Sequence, residues 1–169
     1  MEDDCIVIRT ATLSDTEYIN EIIMETEKSA IARGTGIAKR TPNAIELYIK
    51  EGKAIIAVTE SGEWVGFSYI SVWENERFVS NSGLIVAPKF RHTGVAQAIK
   101  ERVFKLARER YPHAQIFSIT SGRAVMKMNT KLGFEPVTYQ EITHDPEFWE
   151  GCKSCANHSI LLQKGLCNC

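Results

Sequence analysis

Hydrophobic and polar positions alternate along this chain with two rhythms, and the order in which those rhythms change predicts its elements. Ile6 to Arg9 is short and β-branched and reads as a strand. Ser14 and Asp15 can cap a following helix whose buried face is Ile19, Ile22, Ile23 and Met24. Gly34-Thr35-Gly36 breaks that pattern, and Pro42 sits well as an early residue of a second helix with Ile45, Leu47, Tyr48 and Ile49. Ala54 to Thr59 and Trp64 to Ser71 are apolar runs joined by a Ser61-Gly62 turn, the pattern of a β-hairpin. Phe78 to Val86 is the next strand, ended by Pro88.

From Val95 to Tyr111 the apolar positions Val95, Ile99, Val103, Leu106 and Ala107 recur at helical spacing, and Pro112 ends the segment. Ile116 to Ile119 reads as a strand and Val125 to Leu132 as a helix closed by Gly133. Phe134 to Ile142 reads as a further strand. Helices between the later strands imply parallel pairing there, and the hairpin implies antiparallel pairing earlier. The expected architecture is a mixed α/β sheet covered by helices, and the chain has the length of one domain at 169 residues.

Bulk chemistry narrows the class. With 44% hydrophobic and 24% charged residues the chain is of globular type. A formal net charge of −1 gives no support for nucleic-acid or anionic-membrane partners. The acidic start Met1-Glu2-Asp3-Asp4 is unlike a signal peptide, and no apolar run has the roughly 20 residues of a membrane span, so the expected location is cytoplasmic. Oligomeric state is not legible in the sequence, which leaves a homodimer open.

The most informative stretch is Val86-Ala87-Pro88-Lys89-Phe90-Arg91-His92-Thr93-Gly94-Val95-Ala96. A strand runs into a basic turn with no acidic side chain and then into a helix N-terminus. Unpaired N–H groups and the positive end of the helix dipole suit a phosphate, and the small Gly94 and Ala96 let it approach the backbone. The reading is a phosphate-bearing ligand seated on residues 91 to 96.

Three segments together resemble the GNAT superfamily of acetyl-CoA-dependent N-acetyltransferases. Arg91-His92-Thr93-Gly94-Val95-Ala96 is similar to the family's Arg/Gln-x-x-Gly-x-Gly/Ala pyrophosphate motif. Leu84-Ile85-Val86-Ala87-Pro88 resembles the strand along which the pantetheine arm lies, and Lys131-Leu132-Gly133-Phe134-Glu135 resembles the run that ends the family's last helix. The resemblance covers roughly residues 5 to 142, the expected acetyltransferase domain (1–142), with 143–169 as an extension packed on it. It implies a splayed mixed sheet of about six to seven strands flanked by helices, and direct transfer of an acetyl group from acetyl-CoA to an amine. A small molecule or amino acid is the first acceptor class; a silent acyl-CoA-binding module and a protein acetyltransferase are the competing readings.

The same resemblance assigns roles. Leu84, Ile85, Val86, Arg91, His92, Thr93, Gly94, Val95, Ala96 and Asn129 are the expected cofactor-binding residues, with Arg91 either on phosphate or on the surface. A backbone N–H near Ile85 or Val86 is the expected donor to the thioester oxygen as it gains charge. Asn129 stands where many members carry a Tyr that protonates the departing thiolate, and an amide is no acid. Ser121, Thr120 and Tyr139 are alternatives for that role. Glu74 and Glu76 are the candidate bases, against a reading as solvated loop carboxylates. Leu132, Phe134 and Trp149 read as packing residues.

Cysteines form a second constellation. Cys152-x-x-Cys155 and Cys167-x-Cys169 crowd the last eighteen residues, and four thiolates suit tetrahedral zinc, with His144 and His158 as further donors. Free thiols or a Cys152–Cys155 disulfide are the alternatives.

Overall fold

The structure, a computed structural model, describes residues 4–34, 39–120 and 122–154. Its centre is one five-stranded sheet whose spatial order follows the chain: β1 (Ile6–Thr10), β2 (Ala54–Thr59), β3 (Trp64–Trp73), β4 (Phe78–Val86) and β5 (Gln115–Phe117). The first four strands pair antiparallel, and β5 joins β4 in parallel through only three rungs, Phe78 with Gln115, Val79 with Ile116 and Ser80 with Phe117. Past Ser80 the two strands part.

Helices cover both faces. On one side α1 (Ile19–Arg33) and α2 (Pro42–Lys50) bring Ile22, Ile45 and Ile49 against Ile56, Phe67 and Tyr69. On the other, α3 (Val95–Arg110) presses Ile99, Val103 and Ala107 onto Ile55, Ile70 and Val79. Strands buried on both faces read as continuous apolar runs, which is why Ala54–Thr59 shows no alternation. A third cluster closes the end of the sheet where β4 and β5 remain paired. There Phe78 and Phe117 meet Ile142 and Phe148, with Trp73 and Phe148 edge to face at 5.2 Å. Residues 142–154, including α5 (Pro146–Glu150), therefore belong to the same packed body. Trp149 is one of its anchors, its indole N–H donating to the Thr143 carbonyl at 2.9 Å.

Four expectations change. Asp15 does not cap α1. A short 3-10 turn, Leu13–Tyr18, intervenes, and the buried Asp15 carboxylate reaches back to the Thr12 N–H (2.7 Å) and takes the Arg9 fork (2.7 and 2.9 Å). Burial opposes ionisation of Asp15, but those donors win and hold its carboxyl below the ordinary value. Met24 is 58% exposed, because α1 meets the sheet through the narrower stripe of Ile19, Ile22 and Ala30. Phe134–Ile142 forms no strand, so the sheet has five strands among the described residues where six to seven were expected. Pro136 removes a ladder donor there. Thr138 and Glu141 bond reciprocally around a 3-10 turn at Tyr139–Glu141, Thr138 N–H donating to the Glu141 carboxylate at 2.7 Å. Lastly, β5 stops at Phe117, two residues before the expected end.

A bulge sets the shape of β4. Its register against β3 slips between the pairs Phe67–Ile85 and Tyr69–Ser82, and Gly83 takes up the slack at φ 66°. A Cβ at Gly83 would lie 2.3 Å from Cε1 of the buried Tyr69 ring. Gly83→Ala is therefore both strained and overpacked. It is expected to lower stability by about 3 kcal/mol, read as a lower urea midpoint with an unchanged m-value.

Candidate active site

The loop before α3 is built as an anion cradle. His92 (φ 63°) and Gly94 (φ 86°) both take the left-handed conformation, and the first intrahelical bond runs from the Ala98 N–H to the Gly94 carbonyl at 3.2 Å. The amides of His92, Thr93, Gly94, Val95 and Ala96 precede that bond and have no partner inside the helix. Left-handed turns at a helix start gather such amides into a concavity suited to phosphate. No atom lies within 4 Å of a Cβ built at Gly94, so its glycine answers to the backbone angle and not to crowding. A non-glycine residue at positive φ, as His92 is, carries strain that only a functional or structural demand maintains.

Arg91 is not spread toward that cradle. Its Nε donates to the Val86 carbonyl (3.1 Å) and its Nη2 to Glu25 of α1 (2.7 Å), which ties the loop to the helical layer. The Ala87 N–H donates to Val65 of β3 at 2.8 Å. Alternation along the strand then turns the Ile85 N–H toward β3 as well, and the amides of Leu84 and Val86 toward the split. Of the two expected donors to a thioester oxygen, Val86 thus faces the split and Ile85 does not.

Where the β4–β5 ladder stops, polar side chains are buried. Asn81 is 4% exposed, and neither its amide nitrogen nor its oxygen has a partner; the Oδ1 of Asn129, on α4 (Arg123–Lys131), is likewise buried and unpartnered. Unsatisfied buried groups cost about 1–3 kcal/mol each, so their presence marks a place where something else hydrogen-bonds. Lys100 of α3 is only 2% exposed and carries no carboxylate partner among the described residues. Its Nζ donates to the Ser118 hydroxyl at 3.2 Å and lies 5.3 Å from the centre of the Phe134 ring, which itself packs edge to face on Phe104 at 5.5 Å. Burial lowers the Lys100 ammonium from 10.5 to about 8.

The opposite face of β3 and β4 is lined with hydroxyls. Tyr48 and Tyr69 stack at 4.1 Å, Ser71 donates to the Tyr48 hydroxyl at 3.2 Å, and the Trp73 indole donates to Ser80 at 3.0 Å. Burial raises the Tyr69 hydroxyl above its ordinary value, against the pull of Arg40, whose guanidinium donates to it. Beside them a small pocket between α1 and α2 is lined by Ile22, Ile45, Thr26, Glu27, Lys39 and Arg40.

The candidate carboxylates lie elsewhere. Glu74 and Glu76 sit with Asn75 on the turn between β3 and β4, all three at positive φ. Glu74 accepts from the buried Thr143 hydroxyl at 3.1 Å, and Glu76 is exposed. The turn precedes β4, and Asn81 lies three strand residues, about 10 Å, beyond its first residue Phe78, so the turn and the split are not brought together. Ser121 lies outside the described residues, as do Cys155, Cys167 and Cys169. Cys152 falls in a 3-10 turn at Gly151–Ser154, and among the described residues no three metal-ligating side chains converge. Asn81, Lys100 and Tyr69 had not been singled out from the sequence. The polar run Ser80-Asn81-Ser82 inside an apolar strand is the one signal from which the first could have been read. Nothing distinguishes a buried lysine on a helix from an exposed one.

Comparison with family models matches residues 25–145, more than two-thirds of the chain, to the acetyltransferase (GNAT) domain. The chain belongs to the GNAT acetyltransferase family. No curated protein matches its sequence. Among solved structures, N-acetylglutamate synthase from Neisseria gonorrhoeae, complexed with coenzyme A and N-acetyl-glutamate, shares the fold at TM-score 0.67 and 16% identity. That match covers 85% of this chain and 31% of the synthase, so this GNAT chain spans under a third of that protein's length. Rv2747 from Mycobacterium tuberculosis, in complex with CoA, aligns at TM-score 0.62 and 18% identity over 92% of this chain and 86% of its own. Phosphinothricin acetyltransferase from Sinorhizobium meliloti, in complex with AcCoA, gives 0.63 and 18%, covering 79% and 76%. The mixed sheet flanked by helices is thus the GNAT fold, and the protein is an acyltransferase. No helix among the described residues is long and apolar enough to cross a membrane.

Lys100 gives the GNAT domain a stability signature. Its folded pKa of about 8 lies below the 10.5 of an unburied lysine, so folding opposes the charged form. The cost is complete below pH 8, shrinks as pH rises from 8 toward 10.5, and is gone above that. Lys100→Met, similar in volume and uncharged, is expected to raise unfolding stability at pH 7 by up to about 3 kcal/mol. Denaturation curves of both chains from pH 7 to 10 should converge as pH rises.

Proposed function

We propose that this protein transfers the acetyl group of acetyl-CoA to the primary amine of a small molecule, an amino acid being the best-supported class. The observation that carries the reading is the pairing of a phosphate cradle at the start of α3 with unpartnered buried amides on β4 and α4. The residues present fit coenzyme A. The amides of residues 92 to 96 suit its pyrophosphate. From Asn81 to Val86, five strand residues span about 17 Å, a length that an extended pantetheine arm covers. That arm carries two amides, which offer donors and acceptors to Asn81, to Asn129 and to the strand amides of Leu84 and Val86. A strand amide that faces the split at the level of the thioester is the kind of donor that stabilises charge developing on its oxygen.

Arg91 acts through position. By holding the Val86 carbonyl and Glu25 it fixes the angle between the strand end and the cradle, and its contact with the ligand is not needed for that. Asn129 hydrogen-bonds the ligand and donates no proton. With Glu74 and Glu76 at the far turn, water takes the proton lost by the amine.

The acceptor enters from the face of Tyr48 and Tyr69. Arg40 and Lys39 at the neighbouring pocket suit a carboxylate on the acceptor, and Ile22 and Ile45 suit an aliphatic stem. This favours an amino acid over a protein lysine, which has no free carboxylate beside its amine.

Calorimetry with coenzyme A, followed by a thiol-release assay over a panel of amino acids and simple amines, tests the proposal. Binding in the micromolar range and turnover of a carboxylate-bearing amine are expected. Absence of both binding and turnover would refute it. In Gly94→Ala the strained φ shifts the cradle amides, and the dissociation constant for coenzyme A is expected to rise about tenfold, worth about 1.4 kcal/mol.

A further inference from the structure

Nothing in the reading above gives a proton to the departing sulfur, since Asn129 cannot. The buried lysine on α3 has the right place for that task. In the parallel ladder Ser80 faces Phe117, so the next residues, Asn81 and Ser118, stand opposite each other at the first unpaired level of the split. Asn81 shares the face of Val79, which packs against Ile99 and Val103 of α3. Ser118 shares that face too, since Lys100 reaches it from α3 at 3.2 Å. The ammonium therefore stands at the closed apex of the split, bonded to Ser118 and on the sheet face that carries Asn81, whose side chain has no partner at either end.

From the geometry we infer that Lys100 is the acid that protonates the thiolate of coenzyme A as the acetyl group leaves, a role that rests on the acetyltransferase reading. The amine lone pair forms the new C–N bond, the C–S bond breaks with its electron pair passing to sulfur, and an Nζ proton of Lys100 moves to that sulfur. The amide nitrogen releases one proton to water, and water returns one to Lys100, so charge and protons balance over the turnover.

The surroundings match the task. Phe134 and Phe104 roof the ammonium, and Ser118 holds it toward the split. The groups facing it are the Ser118 hydroxyl from β5's end, the Phe134 ring after α4 and Phe104 from α3; no charged side chain among the described residues pairs with it. Burial brings its acidity to about 8, near that of a thiol, where proton exchange between the two is most effective and the acid form still prevails at neutral pH.

The test compares the full-length protein with Lys100→Met and Lys100→Arg. Coenzyme A is bound to each, its affinity measured by calorimetry, and its thiolate followed by ultraviolet absorbance through a pH titration. The bound thiol is expected to ionise at least one pH unit lower in the parent protein than in Lys100→Met, with the dissociation constant changed less than threefold. Lys100→Arg should keep the lowered thiol pKa, because it keeps the charge. Under saturating substrate, kcat of Lys100→Met should fall about 100-fold and lose the alkaline decline that deprotonation of Lys100 produces. If coenzyme A binds both parent and Lys100→Met and its thiol titrates identically in each, the assignment of Lys100 is overturned while the acetyl-CoA reading stands. If coenzyme A binds none of them, that earlier reading fails and takes this one with it.

Discussion

Everything functional in this protein follows from the early parting of β4 and β5. Three rungs of parallel ladder hold them, and then the strands diverge. The divergence has a local cause: the bulge at Gly83 re-aims β4 beneath the buried Tyr69 ring, and β5 ends at Phe117. Buried polar groups left unpaired at such a split are a cost, as the partnerless side-chain atoms of Asn81 and Asn129 are. Nature tolerates such a cost where a ligand relieves it. The aromatic cluster of Phe78, Phe117, Phe148 and Trp73 pins the closed end, so the split opens in one direction only, toward the start of α3.

Two cationic features stand at the two ends of that split, and they differ in kind. At the mouth, the positive end of α3 and its free amides are partial charges built into the backbone and independent of pH. At the apex, the charge is a single buried ammonium that titrates. A ligand with a diphosphate at one end and a sulfur at the other meets a fixed field where its own charge is permanent, and an adjustable one where its charge appears during reaction. Glu25 keeps Arg91 from adding a third, mobile charge at the mouth. The face of Tyr48, Tyr69 and the pocket beside Arg40 lies across the sheet from Lys100, so in the proposed reaction acceptor and acid approach the split from opposite sides.

Much of this was legible in the residue order, and the parts that were not share a cause. The helix from Val95 and the strand ending at Val86 are long, periodic segments whose local signals agree, and the turn between them carries its chemistry in backbone amides. Pro42 at the start of α2 and Gly133 after α4 were readable for the same reason, because capping is a local matter. Phe134–Ile142 misled because its apolar residues suit a strand, yet the Thr138–Glu141 pair and Pro136 take the backbone elsewhere. Asp15 misled because an acid near a helix start is usually a cap, while here the Arg9 fork across the strand claims it.

Sequence alone determined the element order as far as α4, the mixed sheet, a turn suited to phosphate and the family resemblance, because each depends on neighbours within a few residues or on a short motif. Only tertiary structure decided which polar side chains lie buried at the split. Asn81 and Lys100 are nineteen positions apart and look like ordinary surface residues, yet a three-rung ladder and the seat of α3 set both at its apex. It also set Glu74 and Glu76 on the turn that precedes β4, at the opposite end of that strand from the cradle. Burial and proximity are properties of packing between distant segments, and no local pattern encodes them.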